Sequence, residues 1–301
     1  MAGLNKRYGL SLKAQFTPGP NMQAFMGQII QEAAANKPAS TDVTLGNAQT
    51  THAAEGTNAL GPRDWASIVD RPISATPDFD PIAPGGISLA VSSTVTGVTY
   101  NSDLVKDPPH KLTDLLDPKW KGKIASTAAA NGFPELATKS MLGHDYMLDF
   151  MKKFTAQIGG LERCGEWERQ TSGEFLMLAM DCGANDTVLA GRKGAPIAEA
   201  LLDEGTIVHT FYVGVPATSS APNAATLMVA YMQSPEGQAL LWKHGGMDLS
   251  LTPESHSKQI IDQVRAKGGK VATDSPQWLD AATDYSATQK EFQALIQKTA
   301  K

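Results

Sequence analysis

Apolar positions along the chain switch between two periods. Over 21–35, Met22, Phe25, Met26, Ile29, Ile30 and Ala33 recur at the three-and-four spacing of one helix face. The flanking runs 11–16 and 41–45 alternate or carry apolar edges, as strands do. Strand, helix and strand in that order predict parallel pairing in a layered α/β domain. The second strand ends at Gly46-Asn47, and the loop after it, 46–52, falls where open α/β sheets bind ligands, outside the carboxyl ends of strands. Thr50 and Thr51 are therefore candidate ligand contacts. A helix N-cap followed by a solvated loop explains either threonine equally well.

Farther on, 62–84 is rich in Pro, Asp and Ile and reads as an irregular excursion. The apolar runs 87–91 and 97–101 are joined by Ser and Thr with no helical pattern between them. They predict a long bent strand, or a pair, that passes from one lobe into another. The pattern then gives a short helix at 112–116, a strand at 123–127, helices at 133–141 and 146–157, and a short helix at 166–171. The continuous apolar run 175–180 predicts a buried strand, followed by a loop at 181–186 and the start of another element at 188–191. The stretch 206–215 is β-rich. Helices follow at 222–232, at 235–242 with Ser234 as cap and Pro235 in the first turn, and at 253–267 and 288–298. At the N-terminus, 4–9 reads as the end of a helix, with basic residues in the last turn and Gly9 at C′.

A length of 301 residues allows two lobes, and 42% apolar with 19% charged residues fits a folded globular chain. A net charge of −5, with no basic stripe of interleaved aromatics, argues against nucleic acid as partner. No apolar run approaches the roughly 20 residues that span a bilayer. The N-terminus shows no export-signal h-region or cleavage site, which a mature or a truncated chain would equally lack; the helix end at 4–9 carries the expectation of a chain that begins late. The two cysteines, Cys164 and Cys182, match no zinc template. They are either one bridge in an oxidising compartment or two small buried hydrophobes.

Catalytic templates are missing. There is no G-x-S-x-G elbow, P-loop or strand-linked G-x-G-x-x-G, and the six histidines are scattered singly. Asp181 and Asp186 are placed to flank a pocket, but two carboxylates alone do not make a glycosidase. The expectation is a protein without catalytic residues, resident metal or cofactor. Backbone chemistry stands out instead. After the strand 123–127 come three alanines and Asn131-Gly132, and a helix begins at once. Such a corner either presents free N–H groups to an anion or polar ligand, with the hydroxyls of Ser126 and Thr127 beside them, or is a tight turn of small residues.

At this corner the sequence resembles a known family. The phrase LLDPKWKGKIA at 115–125 resembles one in the extracellular solute-binding proteins of ABC importers, in the branch of ferric-iron and polyamine binders. TYNSDLV at 99–105, SGEF at 172–175, KGAP at 193–196, and PNAA at 222–225 followed by SPEGQ at 234–238 resemble further family phrases in the same order, covering roughly residues 10 to 245. The resemblance implies an α/β fold, the two-lobed type 2 periplasmic-binding-protein clamshell. Lobe one is 1–96 and 214–275, lobe two is 97–213, and 276–301 is a C-terminal helical tail. It also implies that this chain lacks the family's first strand and helix, and with them an export signal and a loop of the cleft. The implied protein is a periplasmic, monomeric receptor that closes on a small-molecule ligand and delivers it to ABC permease subunits.

In that frame Pro118-Lys-Trp-Lys-Gly122 is a surface turn anchored by Trp120, and the small residues after it face the ligand. Thr50, Thr51, Ser126, Thr127, Asn131, Asp181, Asn185 and Asp186 are the ligand-binding candidates, with a Cys164–Cys182 bridge beside them. The alternative is a ferric-iron receptor. Family iron binders use adjacent tyrosines just before a turn like 193–196, and here no two tyrosines are adjacent. If Asp181 or Asp186 faces the ligand, a cation such as a polyamine or amino compound is favoured. If the N–H groups of 128–131 dominate, an anion is.

Overall fold

The computed structural model describes residues 1–16, 21–71, 73–76 and 79–299, so 72 and 77–78 of the irregular excursion and the end of the tail lie outside it. The described residues hold nine strands: β1 (Thr44–Asn47), β2 (Ser88–Val95), β3 (Val98–Asn101), β4 (Ile124–Ser126), β5 (Ile158–Leu161), β6 (Met177–Ala179), β7 (Ile197–Ala200), β8 (Gly205–Gly214) and β9 (Lys270–Thr273). The chain forms two compact units, the first from 1–93, 210–244 and 274–281, the second from 94–209, 245–273 and 282–301. It passes between them within β2, in the run 87–101 read as a long bent strand or a pair, within β8, in the β-rich run 206–215, and again after 244, 273 and 281.

In the first unit β1 pairs antiparallel with the second half of β8, Thr44 opposite Gly214 and Asn47 opposite Phe211. One core cluster gathers Trp65, Leu89, Val91, Val213, Val215, Ala225 and Val229. Trp65 is fully buried there, and its indole N–H donates to the Gly86 carbonyl at 2.9 Å, so the large ring leaves no orphan donor. The apolar face of the helix Met22–Ala34 places Met26 and Ile29 in a second cluster with Ala54, Ala59 and Leu60. Asn21 caps that helix by accepting the Ala24 N–H at 2.8 Å. The expected helix end at 4–9 is the end of Ala2–Tyr8, and Gly9 adopts the left-handed conformation (φ 64°) that an L side chain resists.

Two expectations here are corrected. Residues 11–16 form no strand: the Leu12 N–H and carbonyl are both bonded to the Asn5 side chain, and Phe16 is 88% exposed, so the run has no buried face to pair behind. With that strand missing and β1 antiparallel, the parallel strand–helix–strand unit predicted for the opening does not form.

The second unit holds a five-stranded sheet in the order β5-β4-β6-β3-β7. β4 runs parallel to β5 and β6, while β3 is antiparallel to β6 and β7. Beside it β9 runs parallel to the first half of β8. Its core is built on the aromatic trio Phe133, Phe150 and Phe154, with ring centroids 5.2–6.0 Å apart. The helix His144–Phe154 presents Met147, Phe150, Met151 and Phe154 to that core, as its spacing predicts. Pro118–Trp120 is a single 3₁₀ turn whose Trp120 is buried in the same cluster, with Lys119 over its outer face at 4.7 Å. The helix predicted at 133–141 stops at Leu136, because Thr138 turns its hydroxyl back onto the Glu135 carbonyl and the chain closes into turns.

Candidate ligand-binding site

The eight sequence-predicted residues divide between the units. Thr50 and Thr51 belong to the first unit and lie on the helix Ala48–Ala54, not in a loop. Thr50 closes a capping box. Its backbone N–H donates to Asn47 Oδ1 at 3.0 Å and its hydroxyl accepts the Asn47 N–H at 2.9 Å. Thr51 is buried beside it. The capping alternative thus describes Thr50.

The other six residues gather in the second unit, at the ends of β4 and β6. The corner after β4 folds on itself. Thr127 accepts the Ala130 N–H with its carbonyl and the Asn131 N–H with its hydroxyl, and Ala130 sits in the left-handed region at φ 57°. These internal bonds consume N–H groups that an anion would need. Ser126 Oγ is buried and makes no hydrogen bond. Asn131 Nδ2 donates to Cys182 Sγ at 3.1 Å, which joins this corner to the loop after β6. Cys164 and Cys182 form a disulfide with their Cα atoms 5.5 Å apart.

Asp181 lies two residues past the end of β6. Its Oδ1 accepts the Gly97 and Gly183 N–H groups at 3.2 and 3.0 Å, and its Oδ2 accepts the Thr99 hydroxyl at 2.5 Å. Burial nevertheless dominates and, helped by the Asp186 charge, pushes its pKa up to about 6. Gly183 must be glycine: its φ is 129°, and a Cβ would lie 2.2 Å from Thr94. Thr94 in turn holds Asn185, donating its hydroxyl to Oδ1 at 3.0 Å. Asn185 donates to Asp186 Oδ1 at 3.1 Å, and Asp186 also accepts the Gly165 N–H. Burial raises the Asp186 pKa as well.

Asp181 and Asp186 line one pocket with Thr99, Glu166, Trp167, Gln170 and Thr187, and with Arg163 at its rim. Sequence reasoning missed most of this lining. It also missed Glu199 on β7, directly across from Thr99, whose Oε1 is buried and unpartnered. Burial, then the charges of Asp181 and Asp186, drive the Glu199 pKa well above the usual carboxylate value. A lone Glu between alanines in the short strand IAEA was the available signal. Glu162 is a further buried acid: burial pushes its pKa up to about 7 although Gln170 donates to it at 3.2 Å. Lys193 already lies over the Trp167 ring at 5.4 Å, so the pocket's aromatic wall has a cation on it.

These shifts have a sign. Asp181 and Glu162 bind protons more tightly folded than unfolded, so the native state is favoured below about pH 6 to 7 and loses that stability as pH rises from about 4 through 7. At about 1.4 kcal/mol per pKa unit, each group accounts for about 3 kcal/mol over the full range. The ligand-free protein should therefore melt at higher temperature at pH 5.5 than at pH 7.5, as differential scanning calorimetry would show. A melting temperature that rises steadily from pH 5.5 to 7.5 would refute these two assignments.

The sequence profile of a family described as bacterial extracellular solute-binding protein matches residues 74–265. The chain belongs to that family. This solute-binding protein is also 27% identical over 201 residues to an uncharacterized protein of Haemophilus influenzae, a match covering 64% of this chain and 55% of that relative's length. Among solved structures it is similar to the substrate-binding protein of an ABC transporter from Agrobacterium tumefaciens (16% identity, 90% of this chain and 84% of the other, TM-score 0.69). It is likewise similar to the spermidine/putrescine ABC transporter substrate-binding protein PotD from Streptococcus pneumoniae (14%, 97% and 94%, TM-score 0.69). Iron-bound HitA from Pseudomonas aeruginosa aligns at 17% identity over 97% and 93% of the two chains, with a TM-score of 0.70. The fold of the solute-binding protein is thus the type 2 fold of these receptors, on α/β units as its sequence predicted.

Proposed function

We propose that this protein is the substrate-binding component of an ABC importer, acting outside the cytoplasmic membrane, and that its ligand is a small organic cation of the amine or polyamine class. Family membership and the likeness to ABC-transporter receptors support the first half. The observation that carries the second is the pocket holding Asp181 and Asp186 beside Trp167, with Glu199 behind it. Carboxylates whose pKa burial raises gain from a cation, which offsets the desolvation of their charged form. At the corner 127–131, which an anion would use, the Ala130 and Asn131 N–H groups are bonded internally.

Ferric iron fits less well. Hard Fe(III) is well served by phenolates, and no tyrosine lines the pocket. Ligand transfer to a permease, not turnover, is the proposed activity, and the acids serve recognition. Incubating the protein with an equimolar mixture of putrescine, γ-aminobutyrate, phosphate, citrate and ferric citrate, followed by native mass spectrometry, tests the ligand class. An amine adduct is the expected result. Retention of an anion or of iron would contradict it.

A further inference from the structure

The first unit carries a second constellation that solute binding does not use. His52 lies in the last turn of the helix Ala48–Ala54, and Glu55 is the residue that ends it, so the helix end turns both side chains to one side. The helix Pro276–Ala281 packs against this helix and contributes Asp280. His52 Nδ1 is 3.5 Å from Glu55 Oε1 and 3.7 Å from Asp280 Oδ1, and the three donor atoms all lie within 4.8 Å of one another.

These distances are too long for good hydrogen bonds, whose N···O separation is about 2.7–3.2 Å. They are close to a different spacing. Donors about 2.0–2.1 Å from a tetrahedral metal stand about 3.3–3.4 Å apart. His52 Nδ1 and Glu55 Oε1 are, moreover, buried atoms without a hydrogen-bond partner, an arrangement that costs about 1–3 kcal/mol per group unless something fills the gap.

We propose that His52, Glu55 and Asp280 bind a divalent transition-metal ion of the zinc class, with solvent as the fourth ligand. One imidazole and two carboxylates suit borderline ions, whereas calcium and magnesium take oxygen ligands alone. The bound ion ties the segment 276–281 to the helix Ala48–Ala54.

Titration calorimetry with zinc chloride on the full chain tests this, using His52→Ala, Asp280→Asn and the control Asp149→Asn. Asp280 and Asp149 are both exposed, so neither substitution threatens the fold. The expected result is saturable binding of a single zinc ion, weakened about tenfold or more by H52A and by D280N, and unchanged in the control. No saturable binding to the parent protein, or an affinity that survives D280N, would overturn the assignment. Should H52A fail to fold, D280N alone decides.

Discussion

Asp186→Asn should weaken binding of an organic cation by about thirtyfold or more while raising the melting temperature of the unliganded protein. Removing one charge from a desolvated ion pair costs about 2–5 kcal/mol of affinity, and about 1.4 kcal/mol is tenfold. The stability change has the opposite sign because the carboxylate is held against desolvation, with the Asp181 carboxylate near it. Asparagine keeps an acceptor for the Gly165 N–H and removes the charge. A purely structural aspartate would lose stability on substitution and leave binding nearly intact. Calorimetric melting and an amine titration on the variant separate the two cases.

Reduction of the Cys164–Cys182 disulfide should have the largest effect on stability. The bridge closes a loop with a sequence separation of 18, for which chain entropy predicts about 3 kcal/mol. It also ties together the two loops that build the pocket. Cys182 lies between Asp181 and Gly183, and Cys164 precedes Gly165, whose N–H holds Asp186. Asn131 bonds to the Cys182 sulfur from the third side. Under reductant the melting temperature should fall by several degrees, and amine affinity should fall with it. Equal melting curves with and without reductant would show that the bridge contributes nothing. Unchanged affinity in a destabilised protein would confine its role to the fold.

Much of the second unit was legible because its elements obey local rules. The helix His144–Phe154 and the strands around β4 and β6 follow apolar periodicity, and the polar residues after each strand fall at the pocket or beside it. β5, β7 and β9 were not legible. IGGL has two glycines, IAEA an acid, and KVAT is short, so none carries a strand signature without its neighbours. The run 11–16 shows the converse, since alternation alone does not make a strand where no partner or core lies behind it.

At the site, Asp181 and Asp186 were visible as carboxylates in a loop, but their roles depend on burial, which no spacing reveals. Glu162 and Glu199 were invisible for the same reason. Each lies in or beside a short strand, and only the paired sheet shows that it shares the second unit's interior with other acids. Thr50 was placed by the strand end before it, which suits a ligand loop or a helix cap alike, and the structure shows it in the capping box.

A thermal-shift screen at pH 7.5 and pH 5.5 with putrescine, γ-aminobutyrate, phosphate, citrate and ferric citrate tests the central claim most directly, because a ligand of the folded state raises the melting temperature by mass action. The expected result is a rise with the amines alone, smaller at pH 5.5, where protons compete for Asp181. A rise with phosphate, citrate or ferric citrate and none with the amines would contradict it.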